Sequence, residues 1–399
     1  MSAPLKQHLI DPEICIRCYT CEMTCPIEAI QHDDNNVVVD AEKCNHCMDC
    51  IPVCPTGSID EWRVVTTPYS LQQQFDWEEL PEQQPVEQAA TEGDSDDEGS
   101  IPNAVAALLA EAHQGAGGKS RAPDSASSPS INLYNPGNPV RAVVQGNYRI
   151  TSADSDNDVR HIVLDMQGKP FPVLEGQSVG VIPPGKDDNG NPHLPRLYSI
   201  SSPRDGERPG YHNVSLTVKR EDDGRCSNYL CDLETGDNLD VTGPFGATFL
   251  LPSDPDARLL MICTGTGSAP MRSFTMARAR TVGEKPGGMV MFFGARTPES
   301  LPYFGPLKKL PESLLQQHLV FSRVEEQQRE YVQDRMLAEQ ALVAELLNDS
   351  NTYIYICGLK QMEQGVDEAF TQIAASFGGS WDELKNSLRE AGRYHVETY

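Results

Sequence analysis

The chain has 399 residues with 58 acidic against 32 basic side chains, a net charge of −26. That excess of negative charge excludes nucleic acid and anionic membrane surfaces as electrostatic partners, and no apolar run nears the ~18 residues of a membrane-spanning helix. The opening stretch MSAPLKQHLIDPE lacks the apolar segment of a secretory leader, so the expectation is a cytoplasmic protein of two or three domains.

Eight of the twelve cysteines fall in residues 1–54 as two copies of one spacing. They are Cys15-x2-Cys18-x2-Cys21-x3-Cys25-Pro26 and Cys44-x2-Cys47-x2-Cys50-x3-Cys54-Pro55. The repeat extends beyond the thiols at an offset of 29, with Asp11/Asp40, Glu13/Glu42 and Ile30/Ile59 also matching. Three thiolates from a tight loop can cover three corners of an iron–sulfur cube, and the x3 step with proline sends the chain toward a second one. Residues 1–67 therefore resemble a bacterial two-cluster ferredoxin, in which each fourth cysteine serves the other [4Fe-4S] cluster. By that rule one set is Cys15, Cys18, Cys21 and Cys54, and the other is Cys44, Cys47, Cys50 and Cys25. A pair of zinc sites is the alternative, but four-coordinate zinc has no use for the third x2 cysteine or the Cys-Pro endings. Cys226, Cys231, Cys263 and Cys357 have no metal-ligand spacing.

Residues 1–67 hold 11 acids and 4 bases, and residues 64–118 hold 11 acids with no Lys or Arg. Such a surface suits docking onto basic patches and equally serves solubility. Residues 68–135 read as a flexible acidic linker, Gln/Glu/Asp/Pro-rich and then Gly/Ser/Pro-rich, with IPNAVAALLAEA (101–112) as a short amphipathic helix within it. About 60 flexible residues reach about 45 Å on average. From 136 to 252, short alternating stretches such as VRAVVQG, HIVLDM and VSLTVKR predict antiparallel strands closing a β-barrel. From 253 to 399 the text alternates between strand (RLLMICT, MVMFFGA, HLVFSRV, TYIYICG) and helix, which predicts an α/β domain with a parallel sheet.

Five motifs occur in order along residues 139–399: Arg196-Leu197-Tyr198-Ser199, Gly224-Arg225-Cys226-Ser227, Cys263-Thr264-Gly265-Thr266-Gly267, Ser322-Arg323 with Arg329 and Tyr331, and Cys357-Gly358 with a terminal Glu397-Thr398-Tyr399. In this order they resemble plant-type ferredoxin–NADP reductase, which implies an FAD-binding barrel followed by an NADP-binding domain. The resemblance implies that Arg196, Leu197, Tyr198, Ser199, Thr217, Val218, Lys219, Arg225, Cys226 and Ser227 hold FAD. It places Thr266, Ser322, Arg323, Arg329, Tyr331 and Gly358 on NADPH. Ser199, Cys357, Glu397 and Tyr399 form its catalytic set, with Tyr399 covering the flavin. The residue types suit these roles: a guanidinium fork matches phosphate oxygens, an aromatic face matches a planar ring, and a glycine turn before a helix admits a pyrophosphate. The chain departs from the family pattern twice. Arg225 replaces an apolar residue, and the 221–223 loop is short and lacks the family's adenine-stacking tyrosine.

The expected electron path runs from NADPH through FAD and two [4Fe-4S] clusters to an external protein acceptor. A reductase fused to a two-cluster ferredoxin resembles the reductase components that serve di-iron epoxidases of benzoyl-CoA breakdown, which makes such an oxygenase component the expected acceptor. Operation toward NADPH formation, service to another acceptor, and a non-enzymatic electron relay are the alternatives.

Overall fold

In this computed structural model, residues 5–12, 15, 17–45, 47, 50, 54, 58–59, 61–65, 67–81, 121–186, 190, 192–285, 287–324 and 329–398 are described. Tyr399 and the 101–112 segment lie outside them.

The N-terminal domain pairs its ends, strand β1 (Leu5–Leu9) running antiparallel to β4 (Glu61–Val65). Between them lie helix α1 (Thr20–Thr24) and a hairpin of β2 (Ile30–His32) and β3 (Val37–Val39). Its small core of Ile10, Ile30, Val37, Val39 and Ile59 includes Cys21 and Cys50. So few apolar side chains make a marginal core alone, the usual situation of a small domain that depends on bound metal.

The expected linker, 68–135, is packed at both described ends. Helix α2 (Leu71–Phe75) sits on β3, and the Asn36 amide donates to the carbonyls of Gln74, Phe75 and Trp77 at 3.2, 3.0 and 2.7 Å. At the other end residues 121–135 form a strap over the C-terminal half. Ser253 N donates to Ser125 O, the Gln177 amide to Ser130 O and Asn132 N to Pro244 O. A Cβ on Gly392 would come within 2.3 Å of Ala122 O, so the strap lies directly on that turn. Gln and Asn side chains that satisfy backbone groups leave no apolar periodicity, which is why both ends read as linker.

The next unit is a six-stranded antiparallel sheet: β5 (Val140–Arg149), β6 (Val159–Asp165), β7 (Ser178–Ile182), β8 (Arg196–Ser199), β9 (Val214–Lys219) and β10 (Asn238–Phe245). Its order is β8-β7-β10-β5-β6-β9, and an antiparallel bridge from Ile200 to Leu216 closes it into a barrel. Val140, Ala142, Val144 and Ile162, Leu164 alternate into its interior, the period-2 pattern of strands with one wet face. Helix α3 (Arg225–Asp232) covers one end.

The last unit is a five-stranded parallel sheet of β11 (Arg258–Thr264), β12 (Met289–Ala295), β13 (Gln316–Phe321), β14 (Thr352–Gly358) and β15 (Tyr394–Thr398), in the order β13-β12-β11-β14-β15. Alternate residues divide between two cores. Leu260, Ile262, Phe292, Ile354 and Ile356 face α6 (Val332–Ala338), α7 (Gln340–Asn348), α8 (Lys360–Ser376) and α9 (Trp381–Glu390). Leu259, Met261, Cys263, Phe293, Tyr355 and Cys357 face α4 (Ser268–Thr281), the one-turn α5 (Phe304–Leu307) and the barrel-side Phe249. A sheet covered on both faces accounts for the near-continuous apolar text of β11, β12 and β14. Chain order reverses beside β11, so the crevice at its carboxyl end, next to β14, is where a sheet of this kind binds its ligand. No helix among the described residues is long and apolar enough to cross a membrane.

Candidate redox site

Cys21 lies near Cys54, Cys15 and Cys18, and Cys25 shares a cavity with Cys44, Cys47 and Cys50. Burial pushes the Cys21 thiol up to about 11, and the charges of Cys54, Cys15 and Cys18 add to it. Cys25, Cys44, Cys47 and Cys50 line one cavity together with His8, Asn45, Ile27 and Val39. Burial also raises the Cys50 thiol, with Cys44, Cys21 and Cys47 contributing. Among the described residues no three His, Cys, Asp or Glu side chains converge tightly enough for one metal ion. Four thiols around one cavity, beside a second group of thiols near Cys21, fit the donor chemistry of [4Fe-4S] clusters better than that of zinc.

The reductase half builds its site on strand ends. Register aligns Cys263 with Cys357 and Cys357 with Glu397 on three adjacent strands, so all three project from the same face. Burial holds the Cys357 thiol well above its usual range, with the Glu397 and Cys263 charges adding. Across the domain boundary, the Ser199 hydroxyl of β8 donates to Glu397 Oε2 at 3.4 Å. Ser199, Cys357 and Glu397, far apart in sequence, thus meet where barrel and sheet touch. The glycine turn before α4 makes this approach possible. A Cβ on Gly267 would lie 2.1 Å from Cys357 O, and one on Gly358 (φ +147°) would lie 2.4 Å from Thr264 Oγ1. Thr266 is half-buried on that turn.

On the barrel, Tyr198 is half-buried beside Cys226; burial raises its hydroxyl pKa, and the Cys226 charge adds. Burial pushes the Cys226 thiol up to about 11. Arg196 is exposed, and Leu197 is half-buried beside it. Helix α3 starts at Gly224 with no side-chain cap, which leaves its first N–H groups available to an anion. The two departures from the family pattern take definite forms. Arg225 Nη1 lies 3.0 Å from His193 Nε2, and the Ser227 hydroxyl accepts from Glu221 N at 3.2 Å while donating to Gly224 O at 3.1 Å. Val218 is buried and Lys219 pairs with Glu221 at 2.7 Å.

Thr217 sits in a network that carried no sequence signal. Its hydroxyl lies 2.7 Å from Tyr303 OH, which is 2.8 Å from His161 Nδ1. His161 Nε2 lies 3.0 Å from Glu207 Oε1. Arg272 of α4 grips Glu207 with both Nη atoms, at 2.9 and 2.8 Å, and also donates to Ser201 O at 2.7 Å. Burial alone would raise the Glu207 carboxyl; bonds from His161 and Arg272 overcome it and hold the group far below the usual carboxylate range. Burial lowers His161, so the imidazole is neutral at pH 7. Barrel and parallel sheet are therefore joined by a polar seam in addition to the Ser199–Glu397 contact.

At the far side of the sheet, Ser322 follows β13 and donates through N to Ala295 O at 3.1 Å. Arg323, Arg329 and Tyr331 are exposed around the start of α6. They form an open basic and aromatic lip beyond the crevice.

Comparisons with known proteins agree with this layout. The oxidoreductase NAD-binding domain family matches residues 261–368, and the 4Fe-4S dicluster domain family matches residues 7–73. Over 288 residues the chain is 37% identical to ferredoxin–NADP reductase of Spirulina sp., covering 67% of this chain and 98% of that protein. It is 40% identical to the chloroplastic ferredoxin–NADP reductase of Mesembryanthemum crystallinum, covering 67% and 78% respectively. Among solved structures, ferredoxin–NADP+ reductase from Plasmodium falciparum superposes with a TM-score of 0.55 at 27% identity, covering 67% of this chain and 99% of that one. The chain belongs to the ferredoxin–NADP reductase family, a group of NADP-dependent FAD oxidoreductases, and carries in addition an N-terminal 4Fe-4S dicluster domain.

Proposed function

We propose that the chain is an NADPH-driven reductase whose own dicluster domain is the electron outlet, serving a separate protein acceptor. The observation that carries this reading is the Ser199–Glu397 contact beside Cys357, which joins barrel and sheet next to the glycine turn. FAD bound there would take two electrons from NADPH and release them singly to the clusters, since flavin couples hydride donors to one-electron carriers. Arg196 and the N–H groups of α3 would hold its pyrophosphate, and Tyr198 would offer a ring face to its flavin. Ser322, Arg323, Arg329 and Tyr331 receive the 2′-phosphate and adenine of NADPH. Thr266, Gly358 and Cys357 would position the nicotinamide, and the family resemblance gives the terminal Tyr399 the role of covering the flavin. Ser199 and Glu397 hold a proton at the reacting edge. The acidic N-terminal half favours an acceptor with a basic docking face, and the fused architecture supports a di-iron oxygenase of the benzoyl-CoA epoxidase type.

Two experiments test the reading. Glu397→Gln should lower NADPH-dependent cytochrome c reduction on the order of tenfold, the worth of one charge-assisted hydrogen bond, while FAD content stays normal; an unchanged rate would remove Glu397 from the site. For the acceptor, NADPH oxidation should couple to benzoyl-CoA oxygenation when a di-iron epoxidase is added, and uncoupled oxidation would point to another acceptor.

A further inference from the structure

Helix α4 starts at the glycine turn that carries Thr266, and two of its arginines, about two turns apart, reach across to the barrel. Arg272 donates to Ser201 O at 2.7 Å and to both carboxylate oxygens of Glu207 at 2.9 and 2.8 Å, and its guanidinium lies 5.2 Å from the centre of the Tyr303 ring. Arg280 pairs with Asp205 and donates to Gly206 O and Glu207 O, both at 2.8 Å. Ser201 is fully buried and lies two residues past Ser199. The backbone between them is already fixed: Ser199 pairs with Ser178 of β7, Ile200 N donates to Gln177 O at 2.9 Å, and Ser201 N donates to Ser215 O at 2.8 Å. A shift of Ser201 O therefore carries Ser199 with it. At the other end of the same helix, the turn is pressed so closely on β14 that a Cβ on Gly267 would lie 2.1 Å from Cys357 O. Gly267 and Arg272 are about 7.5 Å apart along the helix axis.

One short run of helix thus connects the turn at Cys357 with the strand end that bears Ser199. We propose that Arg272 is a positioning residue: acting through Ser201, it sets how Ser199 and the flavin ring are placed against the nicotinamide turn, and with that the alignment of hydride transfer. This rests on the reading that FAD and NADPH meet at the Ser199–Glu397 contact. The step is NADPH + FAD → NADP+ + FADH−, with one C–H bond broken, one N–H bond formed and both electrons moving with the hydrogen. Its rate depends on donor–acceptor geometry to within about 1 Å. A planar fork can serve a carboxylate and a carbonyl from fixed directions, while the ammonium of lysine is a point charge on a flexible stem. Arg280 gives the comparison within the molecule, because its bonds go to Asp205, Gly206 and Glu207, further along the chain from Ser199.

The test uses the full-length holoprotein and three variants, Arg272→Lys, Glu207→Gln and Arg280→Lys. In anaerobic stopped-flow mixing with NADPH, Arg272→Lys should lower the limiting rate of flavin reduction roughly 10- to 100-fold, with full amplitude and an unchanged NADPH concentration at half-saturation. NADPH carrying deuterium at the transferred position should show a larger isotope effect than in the wild type. Without turnover, saturating NADP+ should perturb the flavin absorption of the oxidised variant less than that of the wild type, since the two rings no longer meet squarely. Glu207→Gln keeps the shape of its side chain and leaves Arg272 on Ser201, so it should move the same readouts in the same direction by less. Arg280→Lys should leave rate, isotope effect and NADP+ spectrum as in the wild type. An arginine that serves stability alone would instead cost amplitude or lower the urea midpoint, with rate, isotope effect and NADP+ spectrum intact. That result overturns the proposal, as does an equal slowing by Arg280→Lys. If Arg272→Lys holds no FAD, Glu207→Gln decides, and a rate and NADP+ spectrum equal to the wild type overturn the proposal. A wild-type flavin that NADPH does not reduce would defeat the reading of the site itself, which is a separate failure.

Discussion

The two ends of the nucleotide crevice are built in opposite ways. Where β11, β14 and β15 meet, Cys263, Cys357 and Glu397 are buried and fixed by strand register, and Ser199 reaches Glu397 from the barrel. Beyond β13, Arg323, Arg329 and Tyr331 stand exposed on a lip. On the proposed function, reaction geometry belongs to the buried end; it is sensitive to displacements of about 1 Å, which backbone pairing is suited to hold. Recognition of a phosphate, proposed for Arg323 and Arg329, needs charge and reach, which an exposed surface supplies. Substitutions at the buried end should therefore be expensive in stability or rate, and those at the lip should change binding alone.

The largest effect is expected at the seam. Glu207→Ala leaves the half-buried Arg272 without its bidentate partner, a loss of about 2–3 kcal/mol for a hydrogen-bonded charged pair that solvent partly screens; urea unfolding would measure it, and a change under about 1 kcal/mol would mean that the seam is not holding the halves together. His395 should give a pH effect of similar size. The ring is fully buried against Tyr355, and burial pushes its pKa down to about 4. Since the unfolded chain then binds the extra proton from about pH 6.5 downward, stability is intact above that pH and falls by about 3 kcal/mol on acidification to pH 4. Comparing the pH slopes of wild type and His395→Phe isolates this share. Gly267→Ala drives a Cβ into Cys357 O and should cost roughly 100-fold in kcat/KM with the protein still folded by circular dichroism. At the lip, Arg323→Ala should raise KM for NADPH roughly tenfold through one lost charged contact and leave kcat unchanged. A fall in kcat there would erase the distinction between the two ends.

Much of this was legible in the sequence because it lies on strand ends and glycine turns. The period-2 text of β5 and β6 and the apolar runs of β11 and β14 announce their sheets, and Cys357-Gly358 and Thr264-Gly265 mark where those strands stop. The cysteine repeat announced a 4Fe-4S dicluster domain, which the family match over residues 7–73 bears out. The seam was not legible. His161, Ser201, Glu207, Arg272 and Tyr303 come from separate segments, and each read singly is an ordinary polar residue. Thr217, which the resemblance assigns to the cofactor, also brings its hydroxyl to 2.7 Å from Tyr303 OH, a contact that no motif announces. The strap at 121–135 escaped because backbone hydrogen bonds, not an apolar stripe, hold it down.

The central claim is that the reductase half drives its own dicluster domain. The most direct measurement is anaerobic mixing of the full-length protein with NADPH while the cluster absorbance and its paramagnetic signal are followed. The account predicts that both appear reduced within the same turnover regime as the flavin, at a rate independent of protein concentration because donor and clusters share one chain. Flavin reduction with clusters that stay oxidised, or cluster reduction whose rate rises with protein concentration, would contradict it.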